Sequence, residues 1–274
     1  MNIKAICTDI DGTLLNRDRQ ISDRTIQAFK SLPAGFPVIL ASSRMPSAMW
    51  HLLEDLGRNG NSLVCYNGGY VIGPVNGSGQ EDILDSTTIS PDICGSIVSL
   101  AAGSNVHISL YTADEWYAPR MDSWTEREER ITKVAAFIQP NTKVLTSWKE
   151  KKKGAHKVMC MGDTDEIDNL YNALQGELSD RLHLYRSRDT YIEIAPRQIS
   201  KASGLALILE RKYGIGMDEV IAFGDNYNDV ELLRQVGMGV AVANAREEVK
   251  AVAKEITGKS TEDGVAITIE KYLL

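Results

Sequence analysis

Short apolar runs alternate along this chain with stretches whose apolar residues recur every three or four positions. Residues 3–8 (IKAICT) read as a buried strand that runs into Asp9-Ile10-Asp11 and is broken by Gly12-Thr13. Ser22 caps a predicted helix with Ile26, Phe29 and Leu32 on its apolar face, ended by Pro33 and Gly35. Residues 38–41 (VILA) predict a second buried strand, which ends in Ser42-Ser43-Arg44. A helix carrying Met49, Trp50, Leu52, Leu53 and Leu56 follows and stops at Gly57. A third strand over 63–66 ends at Asn67-Gly68-Gly69. Buried strands alternating with amphipathic helices are β-α-β units, which build a mostly parallel sheet.

The stretch 74–82 (PVNGSGQED) is rich in Gly, Pro and polar residues and marks a domain boundary. Beyond it Ser90-Pro91-Asp92 starts a helix with a cap, a first-turn Pro and a first-turn acid, and Gly103 closes it. Strands at 106–111, 156–161 and 182–187 and a helix over 165–178 follow. Their alternation suits a sheet with one wet face. Lys149-Glu150-Lys151-Lys152-Lys153 reads as a solvated loop in preference to a phosphate patch. From residue 190 the first pattern resumes. It gives a strand over 191–195, a helix over 201–213 capped by Ser200, and a buried strand over 220–223. After Gly224-Asp225-Asn226-Tyr227-Asn228-Asp229 come a helix with Leu232 and Leu233, a strand over 239–242, a helix near 246–256 and a C-terminal amphipathic helix. The expected fold is α/β: a Rossmann-like doubly wound parallel sheet from 1–82 and 190–274, with an α+β domain inserted at 83–189.

Composition narrows the classes. Of 274 residues, 43% are hydrophobic and 24% charged, which is ordinary globular usage and excludes collagenous or disordered chains. The net charge of −7, with a net acidic insert, argues against nucleic-acid binding. Cys7, Cys65, Cys94 and Cys160 include no CxxC pair, so free buried thiols in a reducing compartment are expected. No signal-peptide layout and no apolar run near the ~20 residues of a membrane span are present. A cytoplasmic location without membrane contact is the expectation.

The polar clusters Asp9/Asp11, Ser42/Ser43/Arg44, Asn67 and Asp225/Asp229 each sit at the C-terminal end of a predicted parallel strand. Open α/β sheets bind ligands at that edge. Residues two apart on an extended strand share a side, so the Asp9 and Asp11 carboxylates repel unless a hard divalent cation compensates. Each pair could otherwise be solvated turn acids. Ser42 opens a helix and can bind an anion there, or serve as a plain N-cap. Lys201 stands at a helix start, where the dipole disfavours a cation, so an anion nearby would explain it. A surface lysine is the alternative.

These residues resemble a family. Asp9-Ile10-Asp11-Gly12-Thr13 is similar to the DxDGT signature of the haloacid dehalogenase-like hydrolases. Ala41-Ser42-Ser43-Arg44 resembles their second motif, Ser200-Lys201 the Lys motif and Gly224 to Asp229 the GDxxND motif, all in the family's order. The insert resembles the C2-type α/β cap of the Cof-type subfamily. The resemblance implies a magnesium-dependent phosphatase acting on small phosphorylated metabolites, sugar phosphates foremost. Asp9 would be the nucleophile and Asp11 the general acid and base; Ser42 and Lys201 would bind phosphoryl oxygens. Mg2+ would be held by Asp9, the Asp11 carbonyl and Asp225, with Asp229 as a further metal-site carboxylate in or near the layer behind those ligands. Gly12, Ser43, Arg44, Asn67 and Asn228 would contact phosphate or substrate. Ser43 stands where the family often has Gly. A sugar phosphomutase of the same fold is the alternative reading. A non-catalytic binding protein would be expected to lack Asp9 or Asp11, and both are present.

Overall fold

The computed structural model describes residues 2–75 and 80–274, so residues 76–79 of the expected boundary stretch lie outside the described residues. The strands are β1 (Ala5–Thr8), β2 (Val38–Ala41), β3 (Leu63–Cys65), β4 (Tyr70–Ile72), β5 (Ile83–Ser86), β6 (His107–Thr112), β7 (Glu115–Ala118), β8 (Phe137–Ile138), β9 (Lys157–Met161), β10 (Leu182–Arg188), β11 (Tyr191–Pro196), β12 (Val220–Gly224), β13 (Met238–Ala241) and β14 (Glu255–Ile256). The α-helices are α1 (Asp23–Ser31), α2 (Trp50–Asp55), α3 (Pro91–Leu100), α4 (Ser123–Thr132), α5 (Asn141–Lys151), α6 (Thr164–Leu178), α7 (Lys201–Ile208), α8 (Val230–Gln235), α9 (Glu247–Lys250) and α10 (Gly264–Leu273). The chain divides into two compact units: Met1–Arg44, Met49–Asp85 and Ser200–Leu274 form one, and Met45–Ala48 with Ser86–Ile199 form the other.

The first unit is built on an eight-stranded sheet in the order β14-β13-β12-β1-β2-β3-β4-β5. From β14 to β3 all pairings are parallel, and β4 turns antiparallel to β3. Alternate residues of the central strands explain the double cover. Ala5, Cys7, Ile39, Ala41, Val220 and Ala222 pack with Ala202, Leu205, Leu232 and Leu233 of α7 and α8. Their neighbours Ile6, Val38, Leu40, Ile221 and Phe223 point the other way and are equally buried. The caps follow the sequence. Ser22 accepts from Thr25 N at the start of α1, and Ser200 forms a reciprocal cap with Ser203 on α7. After α7 the chain makes one wider turn over Leu209–Tyr213 and is stopped by Gly214 at φ +62°.

The second unit has a six-stranded sheet in the order β10-β11-β9-β6-β7-β8. Ile108, Leu110, Val158, Cys160, Ile192 and Ile194 form one of its faces and pack with residues of α3, α5 and α6. Trp116 is buried and stacks on Tyr111. Asp122 caps α4, accepting from Trp124 N and Thr125 N.

Three expectations are corrected. The strand Tyr191–Pro196 pairs antiparallel with both β9 and β10, so it completes the second sheet and the first pattern resumes only at Ser200. The helix expected near 246–256 is the single turn α9. Residues 255–256 form a strand instead, because β13 offers an open edge: Lys254 N donates to Gly239 O and Thr257 N to Ala241 O. The lysine run at 149–153 extends the end of α5, where cations complement the helix dipole; Lys149 pairs with Asp92 and Lys153 with Glu115. Among the described residues no helix is long and apolar enough to cross a membrane.

Candidate active site

Strands β12, β1, β2 and β3 are adjacent and parallel, so their C-terminal ends share one edge. The residues that follow them are Asp225, Asp9, Ser42 and the Tyr66-Asn67-Gly68 turn. This is the edge at which open α/β sheets bind ligands.

Lys201 is the centre of the charge cluster. It is 0% exposed, and its Nζ donates to Asp9 Oδ1 at 2.5 Å and to Asp229 Oδ1 at 2.7 Å. Asp229 is also fully buried, and its Oδ2 accepts from the backbone N–H groups of Asp225 and Asn226, both at 3.0 Å. Its oxygens therefore tie the lysine to the loop that carries Asp225. Close approaches fix this geometry. A Cβ on Gly224 would lie 2.4 Å from Asp229 Cβ, and one on Gly68 would lie 2.3 Å from the Ser200 carbonyl oxygen. Gly68 has φ +104°, so glycine is required there on both counts.

Burial pushes the Asp9 carboxyl well above its usual range; Lys201 opposes the shift, while Asp229 and Asp225 add to it. Burial, then the Asp229 charge, raises Asp225 to about 6. Burial alone would lower Lys201, but Asp229 and Asp9 outweigh it and hold the ammonium strongly protonated.

Asp11 has different surroundings. Its side chain is 43% exposed, and Arg44 donates to both of its oxygens, Nε to Oδ2 and Nη2 to Oδ1, each at 2.7 Å. Arg19 Nη2 adds a bond to Oδ1 at 2.6 Å. Burial pushes this carboxyl up, but the hydrogen bonds and charge of Arg44, with Arg19 and Lys201, bring it below the usual carboxylate range. Arg44 thus holds a carboxylate of the first motif.

Ser42 is buried, and its Oγ accepts from Arg44 N at 3.3 Å. Ser43 follows it, half-buried. Asn67 and Asn228, from opposite ends of the sequence, meet: Asn228 Nδ2 donates to Asn67 Oδ1 at 2.8 Å. Gly12 has φ +87°, and a Cβ there would lie 2.4 Å from Asp225 Oδ2. All the predicted site residues accordingly lie in the first unit, on or beside this strand edge.

Sequence reasoning passed over four neighbours. Thr13 Oγ1 donates to Asp225 Oδ1 at 3.2 Å. Asn244 Nδ2 donates to the Gly12 carbonyl at 2.8 Å, while its Oδ1 accepts from Ser260 N at 2.8 Å. Arg246 gives its backbone N–H to Asp225 O, its Nε to Asn226 Oδ1 and its guanidinium face to the Tyr227 ring. Arg19 reaches Asp11 from an exposed turn. Thr13 was available as part of the first motif; the others carry no local signal beyond polarity.

The donor set suits a hard divalent cation. Asp9, Asp225 and Asp229 each offer a carboxylate oxygen, and these oxygens lie within 4.8 Å of one another. Three carboxylates against the Lys201 ammonium leave two negative charges, and oxygen donors are what magnesium prefers.

Comparison with known proteins agrees with the geometry. A model of the haloacid dehalogenase-like hydrolases matches residues 6–269. A presumptive phosphatase of Haemophilus influenzae is 32% identical over 99% of this chain and 98% of its own length. The 5-amino-6-(5-phospho-D-ribitylamino)uracil phosphatase of Bacillus subtilis is 29% identical over 100% of this chain and 97% of its own. The crystal structure of a haloacid dehalogenase-like hydrolase from Bacteroides thetaiotaomicron superposes with a TM-score of 0.86 at 29% identity, covering 98% of this chain and 99% of that one.

Proposed function

The chain belongs to the haloacid dehalogenase-like hydrolase family and is a phosphatase, and we propose that it hydrolyses sugar phosphates through a phosphoenzyme formed on Asp9. The observation that carries this reading is the buried Lys201, which bridges Asp9 and Asp229 at the end of the central strands. A lysine so placed neutralises a carboxylate that must meet an anionic phosphoryl group.

In the first step an Asp9 carboxylate oxygen bonds to phosphorus, and the bond from phosphorus to the leaving oxygen breaks. The Asp11 carboxyl, protonated once it turns an oxygen away from Arg44 and Arg19, gives its proton to that oxygen, which departs as an alcohol. In the second step water attacks the phosphorus of the acyl phosphate, Asp11 takes the water's proton, and the phosphorus–Asp9 bond breaks to release phosphate. Ser42 and Lys201 hold the phosphoryl oxygens, and Gly12 and Ser43 offer backbone groups at the same edge. Asn67 and Asn228 align the loops on either side. Asp9, Asp225 and the Asp11 carbonyl would hold Mg2+, with Asp229 behind them anchoring Lys201 and the Asp225 loop. When bound, that cation supplies charge neutralisation for the phosphoryl oxygens.

The test separates Asp9 from Asp11. Rapid quench with a labelled, activated aryl phosphate should trap no label on Asp9→Asn. Asp11→Asn should acquire label, because the leaving group needs little protonation. Its turnover should then fall by about 10²–10⁴, the usual worth of a general base. Label trapped on Asp9→Asn, or wild-type turnover by Asp11→Asn, would overturn the assignment.

A further inference from the structure

The turn that follows β13 touches both loops that carry the proposed metal ligands. Val242 N donates to Gly224 O at 3.3 Å and Arg246 N to Asp225 O at 3.0 Å, so the turn runs beside the Asp225 loop. Arg246 Nε and Tyr227 N both donate to Asn226 Oδ1, each at 2.9 Å, which ties that loop down a second time. Asn244, in the middle of the turn, reaches further. Its Nδ2 donates to the Gly12 carbonyl at 2.8 Å. Gly12 follows β1, and β12 lies between β13 and β1 in the sheet, so this bond spans a strand.

The Asn244 amide is held at both ends. Its Oδ1 accepts from Ser260 N at 2.8 Å. A backbone N–H can only donate, so the amide oxygen must face Ser260 and the amide NH2 must face Gly12. Asn244 itself is exposed, and an exposed side chain usually contributes little to stability. Its two bonds bear instead on a place where the chain needs restraint. Gly12 has φ +87° and ψ −8°, and without a Cβ its backbone turns easily. The Asp11 carbonyl belongs to the peptide on one side of Gly12, and the carbonyl that Asn244 holds belongs to the peptide on the other. Thr13 Oγ1, one residue on, donates to Asp225 Oδ1 at 3.2 Å.

We propose that Asn244 is a positioning residue for the metal site. By holding the Gly12 carbonyl while Arg246 N holds that of Asp225, the turn 244–246 braces the two loops against each other and sets the spacing between the Asp11 carbonyl and the Asp225 carboxylate. The proposal rests on the reading that these groups hold Mg2+ together with Asp9, and adds the restraint that preforms their arrangement. Magnesium demands near-ideal octahedral geometry, whereas calcium accepts longer and more variable bonds. A brace that fixes spacing therefore serves magnesium more than calcium. Asn244 carries no charge, so its removal acts through geometry, and the two ions report that geometry differently.

The test is calorimetric titration of the full chain with magnesium chloride and, separately, with calcium chloride, with no substrate present. Asn244→Ala should raise the magnesium Kd by about tenfold or more, the usual effect of losing a residue that orients a metal ligand, and the calcium Kd by a smaller factor. Ser260→Pro removes the N–H that holds the Asn244 oxygen. Proline suits that position, because Ser260 opens a short helical turn and Lys259 before it has φ −65° and ψ 160°. This variant should move both constants in the same sense by smaller factors, and it carries the test if Asn244→Ala does not fold. A magnesium Kd that is unchanged, or raised no more than that of calcium, would overturn the brace and leave the metal reading intact. Absence of magnesium binding by wild type would overturn the metal reading and the brace with it.

Discussion

Replacing Lys201 by Met removes the ammonium that Asp9 and Asp229 share, at nearly constant side-chain length. The two bonds lost are 2.5 and 2.7 Å long, and neither Lys201 nor Asp229 is exposed. Unit charges 4 Å apart interact by about 4 kcal/mol at an effective dielectric of 20. Losing two such attractions and unmasking carboxylate repulsion would exhaust much of a domain's usual ~5–15 kcal/mol. The protein avoids that by protonating a carboxyl, so the cost should settle near the ~3–5 kcal/mol typical of a broken buried pair. Asp9 is already raised above its unfolded value, and without Lys201 it rises further. A raised carboxyl contributes stability that is fully present below its unfolded pKa and lost as pH rises through its folded pKa. The deficit should therefore grow with pH, by up to about 1.4 kcal/mol per pH unit for each carboxyl titrating. Urea unfolding of wild type and Lys201→Met in chelator, at pH 5.5 and pH 8, reads both terms. We expect about 3–5 kcal/mol at pH 8 and clearly less at pH 5.5. Magnesium should restore more stability to the variant than to wild type, since it acts on the larger uncompensated charge. A deficit equal at both pH values, or below about 1 kcal/mol at pH 8, would refute the reasoning.

Two further outcomes follow from the same cluster. Burial and the Asp229 charge raise Asp225 to about 6, so in chelator its carboxyl favours the folded state at low pH and opposes it as pH rises through about 6. Asp225→Asn should match wild type only below the unfolded carboxyl value, near pH 3.5, and exceed it by up to about 2 kcal/mol at pH 7, allowing for its partial exposure; a difference that does not change with pH would contradict this. Gly12→Ala places a Cβ 2.4 Å from Asp225 Oδ2 at φ +87°, a backbone cost of roughly 1–2 kcal/mol plus displacement of a proposed metal ligand. Its kcat/KM should fall by about 10² with a raised magnesium requirement, and wild-type kinetics would show that the loop yields without moving Asp225.

The core sheet was legible because its strands are short and almost wholly apolar. AICT, VILA and VIAF are buried on both faces, as parallel strands between two helical layers must be. Tyr191–Pro196 misled because a strand followed by a capped helix looks the same whichever sheet it joins. Nothing local in TYIEIAP records that its partners are Val158 and Leu184 rather than a core strand. The 246–256 segment failed for the opposite reason. Its composition favours helix, but β13 offers an open edge, and tertiary pairing took Glu255 and Ile256.

The site was legible where a residue contradicts its local setting. Lys201 sits where the helix dipole repels a cation, and the structure supplies the reason in two buried carboxylates that its helix start faces. Asp9 and Asp11 looked equivalent, two acids on one strand face. They part company because Asp9 ends inside the sheet against Lys201, whereas Asp11 lies on the turn that follows, within reach of Arg44 and Arg19. That separation depends on residues 19 and 44, and no window around DIDGT contains them both. Asn244 and Arg246 act through one side-chain bond each to a loop remote in sequence, and polarity alone does not mark such a residue. Local misfit is thus the strongest signal a sequence offers for a site. A residue that is comfortable where it stands, and functional only through its partner, becomes visible when the fold brings the partner to it.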